Sequence, residues 1–124
     1  MNKTWDIRER AFQYSLRAIN LYQALKKQKD DVGIIIGKQY FRSATSIGAN
    51  LEEADGGETK RDFIHKNRIA LKEARESRYW LRLLLESKTI TQPLLGNLLQ
   101  ETSELIAILT TIIKKSSSKT STAR

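Results

Sequence analysis

Small and apolar residues recur along this chain in alternating steps of three and four, and that rhythm restricts it to packed helices. The first seam runs Ile7, Ala11, Tyr14, Ala18, Leu21 and Leu25. A strand repeats its buried face every second residue, whereas an α-helix brings one face round about every 3.6 residues. A second seam is Ile36, Tyr40, Ser43, Ile47, Asn50 and Ala54, flanked by Phe41, Ala44, Gly48 and Leu51. The third is Phe63, Asn67, Ala70, Ala74, Ser77, Leu81 and Leu84, widened by Leu71 and Leu85. The fourth is Leu95, Leu98, Thr102, Leu105, Leu109 and Ile112. Ile34, Ile35 and Ile36 read locally as a strand, but the helical spacing that follows them overrides that reading.

The breaks between seams carry stop and start signals. Asp6, with Glu9 three residues on, has the form of a capping box for the first helix. Lys26, Lys27 and Lys29 suit its C-terminal end. The second helix is expected to follow Asp30 and Asp31, reach about Ala54, and stop at Gly56 and Gly57. Thr59 opens the third, with Asp62 in the box position, and it runs to about Glu86. Thr91 caps the fourth, with Pro93 tolerated in its first turn. Four long helices joined by short turns predict an all-α, antiparallel up-down-up-down four-helix bundle over residues 1–115. Residues 116–124, rich in Ser, Thr and Lys, predict a disordered basic tail.

Composition excludes several function classes. The 124 residues suit one domain. With no cysteine there are no disulfides, thiolate nucleophiles or Cys-type zinc sites, which fits the cytoplasm. Apolar runs are short, and residues 1–10 are charged where a signal peptide is apolar, so no membrane association is expected. His65 is the only histidine and falls on the outer side of the third helix. A di-iron bundle needs two Glu-x-x-His motifs, and here Asp62 stands three residues before the single histidine. Some bundles cut RNA with an Arg–His pair at wider spacing than that of Arg61 and His65. Glu52 and Glu53 read as exposed charge plus one structural carboxylate, and Asn50 as a structural hydrogen-bonding residue. No enzyme, metal or cofactor is expected.

Two patterns lie outside the seams. Phe12, Leu16 and Ile19 form a second apolar stripe about 100° around the first helix. Trp80 and Leu83 lie off the third seam, and Leu99, Ile106 and Ile113 broaden the fourth. A wide buried face accounts for such residues as well as a subunit interface does. We take Phe12, Leu16, Ile19, Trp80 and Leu83 as candidate self-association residues. The other pattern is basic. Arg61, Arg68, Arg75 and Arg82 recur every seventh residue, about 10.5 Å apart along the third helix, and Lys60, Lys72 and Arg78 widen the band. Guanidinium forks suit phosphate oxygens. Lys and Arg number 22 against 14 Asp and Glu, a net charge of +8 that favours polyanions. A solvated surface has the same composition. Pairs four residues apart, Asp62–Lys66, Lys72–Glu76 and Arg82–Glu86, offer partial neutralisation.

The segment Arg42-Ser43-Ala44-Thr45-Ser46-Ile47-Gly48-Ala49-Asn50-Leu51-Glu52-Glu53-Ala54 carries a resemblance. It continues in Asp62-Phe63-Ile64-His65-Lys66, in Ile69-Ala70-Leu71-Lys72-Glu73-Ala74-Arg75-Glu76, and in Tyr79-Trp80-Leu81. These motifs resemble the bacterial four-helix-bundle proteins first noticed as reading frames in intervening sequences of large-subunit ribosomal RNA genes. The accessory protein of diversity-generating retroelements belongs to that family. Many members carry Pro where this chain has Gly48, a subgroup difference. The resemblance implies a ring-like homopentamer. In the retroelement member the ring's basic surface binds nucleic acid and a reverse transcriptase, and here that surface corresponds to the third-helix band. The expected function is therefore a non-catalytic, homo-oligomeric accessory protein that binds RNA or DNA without base specificity. The alternative is a scaffold whose partner is another protein.

Overall fold

The structure, a computed structural model, describes residues 3–57 and 59–122. Five helices, four of them long, make up the described residues, which contain no strand: α1 (Lys3–Gln28), α2 (Asp31–Asp55), α3 (Lys60–Glu86), α4 (Gln92–Leu95) and α5 (Leu98–Thr122). α1 packs on α2, α2 on α3, α3 on α5, and α5 returns to α1, closing a helical bundle round one core.

Caps set most boundaries where the sequence signals them. Asp30 accepts a hydrogen bond from the Gly33 amide (2.9 Å) and Thr59 accepts one from the Asp62 amide (3.0 Å), satisfying donors that a first turn otherwise leaves unpaired. Gly56 closes α2, its amide reaching the Glu52 carbonyl. Ser87 closes α3, after which the Thr89 and Ile90 amides both bond the Leu84 carbonyl and Ile90 turns into the core.

Four expectations need correction. α1 begins at Lys3, so Asp6 lies inside it, and no glycine or proline nearby forces a later start. The expected Asp6 cap lies outside the described side chains. The single fourth helix is two, because Gly96 at φ 59°, ψ −133° takes a backbone conformation suited to glycine. α5 runs on through residues 116–122, expected as tail, with no glycine or proline to stop propagation. Residues 123 and 124 lie outside the described residues. In α2 the innermost line is Gly33, Gly37, Tyr40, Ala44, Ile47, Leu51 and Ala54, with Ser43 beside it. Ile36 and Asn50 are only half-buried, and the Asn50 amide bonds its own helix at the Ser46 carbonyl (2.8 Å). The glycines displace Ile36 because they let α1 approach closely.

Small residues dominate where helices cross. Ser43 and Ser77 meet across α2 and α3 (Oγ to Oγ 2.9 Å) among Ala44, Ala70 and Ala74. α1 and α5 approach least closely of the packed pairs, and polar side chains span them. Tyr14 donates to Thr102 Oγ1 (2.5 Å), which in turn donates to the Leu98 carbonyl (2.7 Å). Arg10 bonds Glu101 and Glu104 (2.8 and 2.6 Å), and Arg17 bonds Asn97. The bonds that Arg10 donates to Glu101 and Glu104 raise the Arg10 pKa, and Arg10 lowers that of Glu104.

Candidate nucleic-acid interface

α3 is long because nothing between Lys60 and Glu86 breaks it, and its inward line of Asn67, Ala70, Ala74, Ser77, Leu81 and Leu84 fixes its rotation against α2 and α5. With that rotation set, Arg61, Arg68, Arg75 and Arg82 all emerge on the outer face, exposed, with Lys60 and Lys72 exposed beside them. Arg78 is half-buried, at the margin. The band is therefore a continuous strip about 31 Å long, since residues 61 to 82 span 21 steps of about 1.5 Å.

The bundle spends its carboxylates elsewhere. Glu73 and Glu76 lie on the α2 side of α3 and both hold Arg42, at 3.5 Å for Glu73. Lys66 bonds Glu53 across to α2 (2.6 Å), and Arg8 bridges Glu52 and Asp55 (3.6 and 3.0 Å). Two pairings expected within α3 are thus not formed. Glu76 serves Arg42 and the Trp80 Nε1–H (2.9 Å) instead of Lys72, and Glu53 takes Lys66 in place of Asp62. The expected Arg82–Glu86 pair does form (3.2 Å). Arg61, Arg68 and Arg75 have no ion-pair partner among the described residues.

At the N-terminal end of the band a shallow concavity is lined by Lys60, Arg61, Ile64, His65 and Arg68. His65 is exposed, as its position on the helix predicts. No group of three or more His, Cys, Asp or Glu converges as metal ligands among the described residues. Of the five candidate interface residues, Phe12 (57%) and Leu16 (42%) are exposed. Ile19, Trp80 and Leu83 are half-buried. Trp80 packs against the core and is tied by its Nε1–H, so it belongs to the bundle's own packing. Phe12 and Leu16 lie on α1, away from the α3 band.

The sequence places Tyr79 in the motif Tyr79-Trp80-Leu81 but not in the basic band, and the structure leaves it 57% exposed on α3. The signal was present in its spacing, four residues after Arg75 and three before Arg82. Val32 and Ile35, exposed early in α2, were likewise given no surface role by the sequence.

A family model described as 23S rRNA-intervening sequence protein matches residues 3–111. Among solved structures, the chain is similar to a protein of unknown function from the S23 ribosomal protein family of Bacteroides thetaiotaomicron. The two are 38% identical, with a TM-score of 0.83 over 91% of this chain and 99% of that one. No curated protein matches the chain. Among the described residues no helix is long and apolar enough to cross a membrane.

Proposed function

The chain belongs to the 23S rRNA-intervening sequence protein family, and from that premise we propose that it is a non-catalytic accessory protein that binds RNA along α3. One observation carries this reading. Arg61, Arg68 and Arg75 stand exposed on one helix face without carboxylate partners among the described residues, while Arg8, Arg10, Arg42, Lys66 and Arg82 each hold at least one. Unpaired guanidinium groups in a row release counterions when phosphates replace them, and that release drives sequence-independent binding. Lys60, Lys72 and Arg78 extend the same field.

The fold we propose is the antiparallel up-down-up-down four-helix bundle. Arg8 with Asp55 and Lys66 with Glu53 each join the early part of one helix to the end of its neighbour, and along α1 and α5 the pairing order is opposed, Arg10 meeting Glu104 and Arg17 meeting Asn97, which supports it. We also propose a homo-oligomer, a pentamer by the family resemblance, seated in part on Phe12 and Leu16. The lack of cysteine favours a cytoplasmic setting.

The test is binding to structured RNA and duplex DNA across a salt series, with R61Q/R68Q/R75Q as the comparison. Removing three phosphate contacts lowers the slope of log K against log salt by about 2 for single strands and about 3 for duplex. Equal slopes for variant and wild type, or no binding by wild type at physiological salt, sinks the reading. A second reading, a scaffold for another protein, draws on the exposed Phe12 and Leu16. It predicts indifference to nucleic acid and co-purification of a protein partner that F12E/L16E loses.

A further inference from the structure

Tyr79 is the large aromatic residue that the surface of α3 leaves mostly in water. It stands inside the arginine band, about 6 Å along the axis from Arg75 and about 4.5 Å from Arg82. Lys72 lies one heptad before it. Its hydroxyl has no hydrogen-bond partner among the described residues. The ring itself is braced. Trp80 meets it edge to face, with centroids 5.1 Å apart and planes at 71°. Trp80 is anchored through Nε1 to Glu76, and Glu76 through its carboxylate to Arg42 on α2. A chain of contacts thus runs from the bundle to a ring held at the surface, so little ordering remains to be done when a flat ligand arrives.

A lone exposed apolar side chain is ordinary. An exposed ring flanked at three and four residues by guanidinium groups is a more specific arrangement, because it matches the two halves of a nucleotide. The cations take the phosphates and the π-face takes the base. In a perfect duplex the bases are already stacked on one another and offer no free face to a ring on a helix surface. An unpaired base in a loop, bulge or end does offer one. Any base has such a face, so the contact does not read sequence.

We propose that Tyr79 is the base-stacking position of the α3 band, and that the band's ligand class is single-stranded RNA, including loops and ends, in preference to perfect duplex. The inference rests on the nucleic-acid reading above and narrows its substrate.

The experiment measures binding of a short unstructured RNA, and of the duplex of the same sequence, to wild type, Y79A, Y79F and R61Q/R68Q/R75Q. Loss of one stacking contact weakens single-strand binding by Y79A about 5- to 150-fold. Duplex binding changes by less than about twofold, because the phosphate contacts dominate there. Y79F, which keeps the ring, stays within about twofold of wild type on both. Alanine is a strong helix former at an exposed site, and unchanged circular dichroism confirms that the fold persists. If Y79A binds single strands like wild type, or loses both ligands equally, stacking at Tyr79 is overturned. Should the arginine variant still lose binding in that same assay, the band survives and only this inference falls. A wild type that binds neither ligand overturns both.

Discussion

Gly37 and Gly48 are both helical residues of α2 that face α1, yet alanine is expected to act with opposite sign at the two. In a helix interior, glycine to alanine gains about 1 kcal/mol from reduced unfolded-state freedom and better propensity. What remains is the space for a methyl group. At Gly48 an added Cβ meets Ala11 Cβ and the Ala11 carbonyl oxygen at 3.6 Å, ordinary van der Waals contact. Gly48→Ala is therefore expected to stabilise the protein by about 0.5–1 kcal/mol. At Gly37 the same atom sits 2.7 Å from Leu25 Cδ1 and 3.4 Å from Tyr22 Cδ1. Leu25 is 0% exposed, so its methyl group has no solvent to swing into and must repack within the core. Overpacking of that kind costs about 1–3 kcal/mol, which cancels or exceeds the propensity gain. Urea unfolding of the two variants should separate them by about 1–3 kcal/mol at unchanged m-value, Gly48→Ala above wild type and Gly37→Ala at or below it. Gly37→Ala as stable as Gly48→Ala would refute the reasoning, since it would mean that the α1–α2 contact has slack where the geometry shows none.

The remaining predictions concern the buried polar seam. Tyr14 is deeply buried, and that burial pushes its hydroxyl up to about 12 against the ordinary 10. Tyr40, packed edge to face on Tyr14 at 6.2 Å, is raised well above 10, mainly by burial. A raised pKa means that stability is complete below pH 10 and drains as pH rises through about 12, by about 3 kcal/mol for Tyr14 alone. Urea midpoints measured from neutral to alkaline pH should fall in that window, and less steeply in Tyr14→Phe; a flat profile would contradict the assignment. Thr102→Val leaves the Tyr14 hydroxyl without its acceptor and is expected to cost about 1–3 kcal/mol in the same assay. Combining it with Tyr14→Phe should restore most of that loss, whereas simple addition of the two effects would show that the hydroxyls are not coupled.

The helices themselves were legible in the residues because their signals are local. The three-and-four spacing, Asp30 and Thr59 as caps, and Gly56 as a stop each act over one or two turns. The outward placement of Arg61, Arg68, Arg75 and Arg82 followed from the same arithmetic, as any residue opposite Ala70 and Ala74 must face away from them. The break at Gly96 was less legible, since a glycine inside a helical pattern is compatible with continuation until the chain needs a φ of 59° there. Partner choice was beyond local reading altogether. Whether Glu76 pairs with Lys72 or with Arg42, and whether Glu53 takes Lys66, depends on which helix lies alongside, and that is decided by packing between segments distant in sequence. The inner line of α2 is a case of the same kind. Ile36 is the more apolar residue, but Gly37 faces α1 because only the residue without a side chain permits that approach. Local periodicity therefore determined the helices and the rows of residues they carry. Contacts between distant helices decided which charges were left without partners and which rings remained in water, because an ion pair or a buried face needs a second surface that no single helix supplies.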